Sequence, residues 1–442
     1  MRQPDPAPTL EAILRSDAVR AALPRIIEAR VGPLVGGDYL HWDELRHRPA
    51  PKGLSPQQWW AGVKLARATG ARPFPLRSAD GRPFTYSLPD PVLETLHWLD
   101  QHTAGEVVVT ETIKDAGDRR RYLVSSLFEE AITSSQLEGA SATRQVAKDM
   151  LRSGRPPRDR GERMILNNFQ AMSALRGTLG APLTPDGVFG LHRILTEGTL
   201  PDPDAAGRLQ RPGEERVVVT DPEGLVVHVP PPSDALPGRL AQMCDFANGG
   251  GVDGFMHPVV RAILLHLWLA YDHPFEDGNG RTARALFYRE MLAQGYWLFE
   301  YVTISRLLVR APAQYARAFL FTETDEFDAT YFILHQLGAI RRAVEELMAY
   351  LRRKMAQTRE TIHLLRRTDL NHRQVALLTH ALRHPDAVYT IQSHATSHGV
   401  VHQSARTDLL DLESRGLLER QVVGRKFIFR PNADLAAKLA GT

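Results

Sequence analysis

The sequence predicts a mainly α-helical protein with a β-hairpin in its middle and a smaller helix-and-wing unit near its end. Three observations support this fold class. Apolar residues recur at helical spacing through most of the chain after Arg121. β-Branched runs are concentrated within residues 216–229, and two short strand patterns surround Gly424.

The composition is that of an ordinary globular chain. Hydrophobic residues make up 43% and charged residues 24% of 442 residues, which excludes a wholly disordered or collagen-like protein. Lys and Arg number 54 and Asp and Glu 51, so the net charge of +3 does not indicate nucleic-acid binding by the whole chain. At about 150 residues per domain, the length predicts about three domains.

The single cysteine, Cys244, excludes an intramolecular disulfide and a paired-cysteine metal or redox site. A reducing compartment fits this usage, so we expect a cytoplasmic protein. Residues 1–10 lack the pattern of a signal peptide, and no run of about 18 uncharged apolar residues predicts a membrane-spanning helix. We therefore expect no membrane partner.

Residues 1–100 are expected to form a helical accessory region with proline-rich breaks. Leu10–Val31 predicts a helix that is broken at Pro24. Ser55–Ala68 predicts a second helix, because it opens with a Ser-Pro pair of the kind that starts helices. Two aromatic residues of this helix are predicted to lie in the core: Trp59 and Trp60.

Helical patterns dominate the next part of the chain, and Gly139 marks a helix end. The predicted helices are Tyr122–Glu138, Ala142–Arg152, Glu162–Leu175, Pro185–Thr196, Leu236–Asn248, Pro258–Ala270, one beginning near Arg281, and Tyr331–Arg367.

A β-hairpin interrupts these helices. Arg216–Thr220 and Leu225–Val229 are β-branched runs, and the Asp-Pro-Glu-Gly segment between them has the composition of a turn. Three prolines from Pro230 onward stop the second strand.

Residues 370–431 have the element order of a winged helix: one helix, a helix-turn-helix, and two short strands. Residues 432–442 are expected to be a tail. The recognition helix would be Ser404–Arg415, with Arg406 near its start. Its acidic residues argue against a DNA reader, so DNA binding, protein contact and dimerisation all stay open; these residues are Asp408, Asp411 and Glu413.

The segment from His273 to Arg284 carries the chemistry. Its two glycines let the backbone turn sharply, and N–H groups at the start of the following helix form an anion site. Arg281 and Arg284 share one face of that helix. Asp277 is a carboxylate for a divalent cation beside phosphate, and His273 is a proton acceptor. Each residue alone fits a helix-capping turn, but together they indicate a polyphosphate site.

This segment resembles the signature HxFx(D/E)GNGRxxR of the Fic (filamentation induced by cAMP) family, and every defined position matches. Fic proteins mostly transfer AMP from ATP to a hydroxyl side chain of a protein. The resemblance therefore implies a Fic-type helical core over residues 101–367. It also implies protein adenylyltransferase activity, with ATP and Mg²⁺ as ligands.

The resemblance implies a role for most residues of the segment. His273 would deprotonate the target Ser, Thr or Tyr, Asp277 would coordinate Mg²⁺, and Arg284 would pair with the γ-phosphate. Phe275 would anchor the loop. The remaining positions would hold the α- and β-phosphates: Gly278, Asn279, Gly280 and Arg281.

Two further positions bear on the nucleotide. Relatives that phosphorylate, with the triphosphate bound in reverse, carry Lys where this chain has Gly280, so the resemblance implies nucleotidyl transfer. Relatives also carry an Asn-Arg and a Tyr-Tyr pair later in the chain. Here only Tyr315 is retained of these. Tyr315 is assigned to nucleotide binding, and the base preference stays open.

A second match lies upstream. Residues 134–139 resemble the family's inhibitory motif (S/T)xxxE(G/N), with Ser134, Glu138 and Gly139 at the defined positions. In relatives this Glu pairs with the second Arg of the signature. We therefore expect Glu138 within ion-pair reach of Arg284, in the place of the γ-phosphate. The same carboxylate could orient a water for AMP removal, which makes Glu138 a catalytic candidate.

The hairpin at 216–229 matches the family's flap. A flap edge can pair with an extended segment of the target by strand addition. The protein substrate is accordingly expected along Val217, Val218, Val219 and Thr220. A surface hairpin with no partner is the alternative.

Two function classes follow. One is an autoinhibited adenylyltransferase that modifies a Ser, Thr or Tyr of a protein and also has the groups to remove AMP. The other is a regulator that binds DNA through residues 370–431 and uses the nucleotide site as a sensor. His273 favours the enzyme, because a sensor has no need of a base.

Overall fold

The computed structural model describes most of the chain. The described stretches are residues 2–104, 116–221, 223–366, 369–423 and 426–440. The chain divides into two compact units, Met1–Leu347 and Met348–Thr442, and the division falls within one long helix. Each unit has a hydrophobic core of its own.

Helices form most of the described structure, so the mainly α prediction is confirmed. In chain order they are α1 (Leu10–Arg15), α2 (Asp17–Glu28), α3 (Trp42–Leu45), α4 (Pro56–Ala68), α5 (Asp90–Thr103), α6 (Ala116–Leu137), α7 (Arg144–Ser153), α8 (Arg160–Ala174), α9 (Pro185–Thr196), α10 (Leu236–Ala247), α11 (Pro258–Asp272), α12 (Asn279–Ala293), α13 (Ser305–Arg310), α14 (Pro312–Thr324), α15 (Thr330–Arg366), α16 (His372–Arg383), α17 (Ile391–His398), α18 (His402–Ser414) and α19 (Leu435–Ala440). Among the described residues, none of these is both long and apolar enough to cross a membrane.

The strands pair as antiparallel hairpins. They are β1 (Arg72–Arg77) with β2 (Pro83–Tyr86), β3 (Val219–Thr220) with β4 (Val226–His228), and β5 (Leu418–Val423) with β6 (Lys426–Pro431). The first pair was not predicted, because β1 carries two prolines that obscure a strand pattern.

The helix predicted over Leu10–Val31 is two helices, and the break lies at Ser16 rather than at Pro24. Ser16 has extended backbone angles (φ −70°, ψ 119°), which end α1 and begin α2. Pro24 lies inside α2 and removes one backbone hydrogen bond. Buried side chains on one face hold the helix together across this position: Val19, Ala22 and Ile26.

The start of α4 agrees with its sequence. The Ser55 hydroxyl accepts from Gln58 N, and the Gln58 side chain accepts from Ser55 N, which forms a capping box. Trp59 and Trp60 are both buried, as predicted, and the Trp60 indole donates to a backbone carbonyl.

Helices α11 and α12 lie at the centre of the first unit. Both are buried on nearly every side. A helix with this pattern must be surrounded by protein. The short segment between them, residues 273–278, is therefore fixed at both ends by buried helices.

The hairpin in the middle of the chain is shorter than predicted. Val219 pairs with His228 and Thr220 with Val226, with an irregularity between the two pairs. Residues 216–218 precede the strand, because the Arg216 side chain is bound to carbonyls elsewhere. The predicted turn residue Pro222 lies outside the described residues.

The second unit contains α16, α17, α18 and the hairpin β5–β6, in the predicted order. The predicted wing residue Gly424 lies outside the described residues, as does Arg367. The segment expected to be a tail contains α19. Leu435 and Leu439 of this helix are buried in the core of the unit, because their spacing of four places them on one face.

Candidate functional site

His273 ends α11 with a left-handed backbone, φ 45° and ψ 52°. Its N–H still donates to Leu269 O at 2.9 Å. For a residue other than glycine this conformation costs about 1–2 kcal/mol. The surrounding contacts must therefore hold it in place.

Arg216 makes those contacts. Its guanidinium donates to Asp272 O at 2.6 Å, to His273 O at 2.9 Å and to Pro231 O at 2.9 Å, and it also contacts Gln210. The residue just before β3 thus connects the base of the hairpin to the end of α11. No sequence pattern pointed to this role, since Arg216 looked like the first residue of a strand.

The His273 imidazole is in the state of a base. Burial first, and then the charges of His228 and Arg216, lower the pKa of His273 to about 4, against the opposing effects of Ala270 and Glu138. Nδ1 lies 3.4 Å from Ala270 O, which can only accept. Nδ1 therefore carries the hydrogen, and Nε2 keeps the lone pair that accepts a proton.

The Asn279 side chain makes two hydrogen bonds to the backbone of Phe275 within the loop. Its Oδ1 accepts from Phe275 N at 2.9 Å, and its Nδ2 donates to Phe275 O at 2.8 Å. The side-chain amide is thus used inside the loop, although the sequence assigned Asn279 to phosphate. The backbone N–H of Asn279, at the start of α12, has no intrahelical acceptor and can donate to a ligand.

His192, on α9, packs against the loop, and the sequence analysis did not identify it. Its ring stacks on the buried Phe275 with centroids 3.8 Å apart. Nε2 donates to Asp277 O at 2.8 Å, and Nδ1 accepts from Gly207 N at 2.9 Å. Burial lowers the pKa of His192 to about 4, so the ring stays neutral in this arrangement.

Both glycines of the loop are required by the geometry. Gly278 has φ 82°, and a Cβ there would lie 2.7 Å from Thr196 Cγ2. A Cβ on Gly280 would lie 2.2 Å from Glu138 Oε1. The bare backbone at the start of α12 therefore leaves room for an anion.

Arg281 is fully buried and only partly satisfied. Its Nη1 donates to Leu195 O at 2.9 Å. Within the described residues, Nε and Nη2 have no hydrogen-bond partner, and Nη2 lies 3.4 Å from Asp277 Oδ2. A buried guanidinium with unpaired N–H groups is costly. An anion with several oxygens would satisfy them.

Arg284 pairs with Glu138, as the sequence predicted. Its Nη2 lies 2.8 Å from Glu138 Oε1. The same guanidinium donates from Nε to Ser134 Oγ and from Nη2 to Ser134 O, both at 2.9 Å. Arg284 is buried, whereas the Glu138 side chain is 25% exposed.

The end of α6 sets the position of Glu138. Ala140 N donates to Ser135 O at 3.0 Å and Gly139 N to Gln136 O at 3.1 Å, with Gly139 at φ 87°. These are the bonds of a Schellman helix end, which needs a left-handed residue. Glu138 is therefore the last residue before the chain turns away.

Glu130 anchors the same helix two turns earlier. Its buried carboxyl group accepts from the Tyr288 hydroxyl at 2.8 Å and from Ser305 N at 3.2 Å, and it also contacts Ser305 Oγ. Burial raises the pKa of Glu130. The contacts connect α6 to α12 and α13, and the sequence analysis did not identify them.

Asp277 is the one acidic side chain of the signature segment that was assigned to a metal. Its carboxylate is 31% exposed and lies near the unpaired atoms of Arg281. Within the described residues, no group of three or more His, Cys, Asp or Glu could hold a metal by itself. A single carboxylate beside a phosphate site still fits Mg²⁺, which takes one or two carboxylates together with phosphate oxygens.

Tyr315, on α14, lies next to this site. Its hydroxyl is 2.8 Å from His266 Nε2. Burial is the main cause that raises the pKa of Tyr315 to about 12. The charge of Glu138 also raises this pKa, whereas the charge of Arg284 lowers it. The Tyr315 ring is half-buried and packs edge-on against Phe319.

The predicted flap residues lie on the surface. Val218 and Thr220 are exposed, and Val217 and Val219 are half-buried. Within the described residues, β3 pairs with β4 and with no other strand.

Residues 182–291 match the sequence model of the Fic/DOC family, so this part of the chain is a Fic/DOC domain. The match includes the whole signature segment. The protein adenylyltransferase Fic of Nematostella vectensis is 26% identical over 185 residues, which are 40% of each protein. The protein adenylyltransferase and cysteine protease IbpA of Histophilus somni is 32% identical over 129 residues, 28% of this chain and 3% of IbpA. The chain thus spans less than half the length of these curated relatives.

Two solved structures have the same fold. A Fic family protein from Desulfovibrio desulfuricans aligns with a TM-score of 0.54 and 19% identity, over 78% of this chain and 96% of its own. Fic-1 from C. elegans aligns with a TM-score of 0.50 and 18% identity, over 79% of this chain and 90% of its own. The helical architecture is therefore that of Fic proteins.

Proposed function

We propose that this chain is an autoinhibited protein adenylyltransferase that transfers AMP from ATP to a Ser, Thr or Tyr hydroxyl of a protein. One observation carries the proposal. His273, whose pKa is lowered to about 4, begins one short loop, and the buried, partly unpaired Arg281 lies in the first turn of the helix that follows it.

The loop accounts for binding and reaction. Backbone N–H groups of residues 279 and 280 and the N–H groups of Arg281 that lack a hydrogen-bond partner among the described residues would hold the α- and β-phosphates, while Gly278 N donates to Asp277 Oδ1. The target hydroxyl gives its proton to His273 Nε2 while its oxygen bonds to the α-phosphorus. The bond from that phosphorus to the β-phosphate oxygen breaks, and pyrophosphate leaves. The products are the AMP-modified side chain and pyrophosphate.

Asp277 would hold Mg²⁺. When bound, the ion neutralises phosphate charge as pyrophosphate leaves. The residue's partial exposure and its position at the loop support this assignment.

Glu138 is proposed to inhibit the enzyme. Its carboxylate occupies the Arg284 position that would otherwise contact the γ-phosphate. Two anions on one guanidinium repel each other, so the γ-phosphate loses its partner unless Glu138 withdraws. The inhibitory segment consists of Ser134, Glu138 and Gly139, because Ser134 orients Arg284 and Gly139 turns the chain.

Removal of AMP is a second reaction that the same groups could perform. Glu138 could orient a water toward the AMP-modified side chain, and His273 would return the proton to the leaving hydroxyl. This proposal rests on the partial exposure of the Glu138 carboxylate beside the loop.

The target is proposed to bind along Val217–Thr220, a segment that consists of β3 and the two residues before it. Arg216 connects this segment to His273, so a bound strand would present its hydroxyl near the base. Tyr315 is proposed to bind the nucleotide, since it lies beside Arg284, and the base preference stays open.

The reaction class can be tested with two labels. The Glu138→Gly variant is incubated with a cell lysate and with ATP labelled on either the α- or the γ-phosphate. Protein labelling from the α-label alone is expected. Labelling from the γ-label would mean phosphoryl transfer, and the absence of both would contradict the proposal.

A DNA-binding second unit is the other candidate, and one observation favours it. The acidic residues of α18 that argued against DNA are paired within the unit. Asp408 is buried against Arg373 and His394, Asp411 pairs with Arg415, and Glu413 with Arg420. The exposed side chains in the first two turns of α18 are polar or basic: His402, Gln403, Arg406 and Thr407.

Fluorescence anisotropy of the full chain with a labelled random duplex at low salt tests this candidate. We expect binding that weakens in Arg406→Ala and with rising salt, while the exposed control Arg352→Ala stays unchanged. Equal binding by the two variants would contradict it. Self-association in place of DNA binding would assign the unit to dimerisation.

A further inference from the structure

Asp277, the carboxylate proposed to hold Mg²⁺, is already engaged in this structure. Its Oδ2 lies 2.7 Å from Arg160 Nη2 and 3.4 Å from Arg281 Nη2. Its Oδ1 accepts from Gly278 N at 2.5 Å. Both carboxylate oxygens therefore have partners before any nucleotide arrives.

Arg160 is the unexpected partner, since it lies 117 positions before Asp277. It is the first residue of α8, whose start is capped by Asp159 through a bond from Glu162 N at 2.8 Å. Its Nε donates to Thr199 O at 2.9 Å, and Nη2 on the same edge of the guanidinium donates to Asp277 Oδ2. Two anchored contacts thus hold a side chain that is 58% exposed.

A divalent cation on Asp277 Oδ2 would meet the positive charge of Arg160 at close range. The two cations repel each other and compete for the same oxygen. Because Arg160 is largely exposed, its guanidinium can turn into solvent at little cost, whereas the buried Arg281 cannot. Arg160 is therefore the partner that a metal would displace.

We propose that Arg160 is a positioning residue that competes with the metal: it holds Asp277 in the nucleotide-free protein and leaves when a metal–nucleotide complex binds. The proposal rests on the proposed function of Asp277. It adds a second arginine–carboxylate pair to Glu138–Arg284, so that the signature segment carries two such pairs before a nucleotide binds.

The two pairs share one supporting helix. Met164 O on α8 accepts from the Ser135 hydroxyl at 3.2 Å, and Asn168 Nδ2 donates to Ala131 O at 3.5 Å. Helix α8 thus carries Arg160 at its start and supports α6, which ends at Leu137 just before Glu138. A shift of α8 would therefore affect both the Arg160–Asp277 pair and the Glu138–Arg284 pair.

Mn²⁺ binding tests the competition directly. Free Mn²⁺ is followed by electron paramagnetic resonance in the presence of a non-hydrolysable ATP analogue. All proteins carry Glu138→Gly, so that the nucleotide contacts Arg284 in each. Arg160→Ala is expected to lower the Mn²⁺ dissociation constant by roughly twofold to fivefold, the scale of an exposed ion pair. Arg160→Lys should fall between, and the exposed control Arg158→Ala should match the parent.

A second readout separates positioning from structure. In AMP transfer, Arg160→Ala should lower the Mg²⁺ concentration that gives half-maximal rate and leave the rate at saturating Mg²⁺ unchanged. A variant with a damaged fold would lower that maximal rate.

Unchanged or weaker Mn²⁺ binding by Arg160→Ala would overturn the proposal, and weaker binding would make Arg160 a phosphate ligand. Absence of Mn²⁺ binding in every variant would also overturn it, because Asp277 would then not be a metal ligand. The titration needs no protein target. A failure to transfer AMP would therefore contradict the proposed function without obscuring this result.

Discussion

Glu138 Oε1 lies 2.8 Å from Arg284 Nη2, although the two residues are 146 positions apart. Ser134 accepts two further bonds from the same guanidinium, so the pair has a fixed geometry. Gly280 leaves the space that Glu138 occupies, since a Cβ there would collide with the carboxylate. The ion pair therefore depends on Ser134 and Gly280 as well as on its own two residues.

Removing the carboxylate should activate the enzyme. Glu138→Gly frees Arg284 for the γ-phosphate, a charge-assisted bond worth about 1.5–3 kcal/mol. We expect AMP transfer at subsaturating ATP to rise about tenfold to a hundredfold and AMP removal to be lost. Initial rates of both reactions on one purified target give the result. Glu28→Gly, which removes an exposed carboxylate at the end of α2, is the control and should change neither.

Removing the base should stop the reaction and spare the nucleotide site. In the Glu138→Gly background, His273→Ala should lower the transfer rate by about 10²–10⁴-fold, the usual contribution of a general base. The ATP dissociation constant, measured by calorimetry, should stay within about twofold, because His273 acts on the hydroxyl. Transfer at the parent rate would exclude His273 as the base.

Arg284→Ala should weaken ATP binding by about tenfold to a hundredfold, measured in the Glu138→Gly background. Arg284→Lys should recover only part of this loss, since a lysine cannot form a two-pronged contact. Equal ATP affinity in parent and variant would show that Arg284 does not contact the triphosphate.

The pH profile should reflect the lowered pKa of His273. The base must be neutral to accept a proton, and burial lowers its pKa to about 4. The transfer rate at saturating ATP should therefore stay level through pH 6.5, the ordinary pKa of histidine, and fall only as the pH approaches about 4. Circular dichroism at each pH checks that the protein remains folded. A decline centred near pH 6.5 would contradict the buried environment of His273.

Glu130→Ala should act on stability and on inhibition together. It leaves Ser305 N and the Ser305 hydroxyl without their acceptor in a buried place, which costs about 2–4 kcal/mol, while the Tyr288 hydroxyl keeps its bond to Val302 O. Thermal unfolding should show the loss, and AMP transfer should rise because α6 holds Glu138 less firmly. A rise in transfer that is absent in the Glu138→Gly background would confirm that Glu130 acts through Glu138. A stability loss without that rise would make the role structural only.

Much of the helical fold could be predicted from local pattern. Pro185–Thr196 was predicted with its observed ends, because a threonine cap and a first-turn proline mark its start. The Glu138–Arg284 pair was predicted only through the family motif, since no local pattern connects residues 146 positions apart.

The supporting contacts of the loop could not be predicted. Arg216 and His192 act through backbone carbonyls that the fold brings close, and carbonyl positions leave no pattern in side-chain sequence. No sequence pattern singled out Arg160. Its role depends on where α8 begins relative to Asp277, which is a tertiary relationship.

The central claim is that this loop transfers AMP and that Glu138 holds the reaction in check. The most direct measurement is the amount of AMP that native protein, Glu138→Gly and Glu138→Gly/His273→Ala attach to one purified target, read by intact-protein mass spectrometry. We predict little modification by the native protein, extensive modification by the single variant and none by the double variant. Equal modification by the native protein and Glu138→Gly, or modification that persists without His273, would contradict the account.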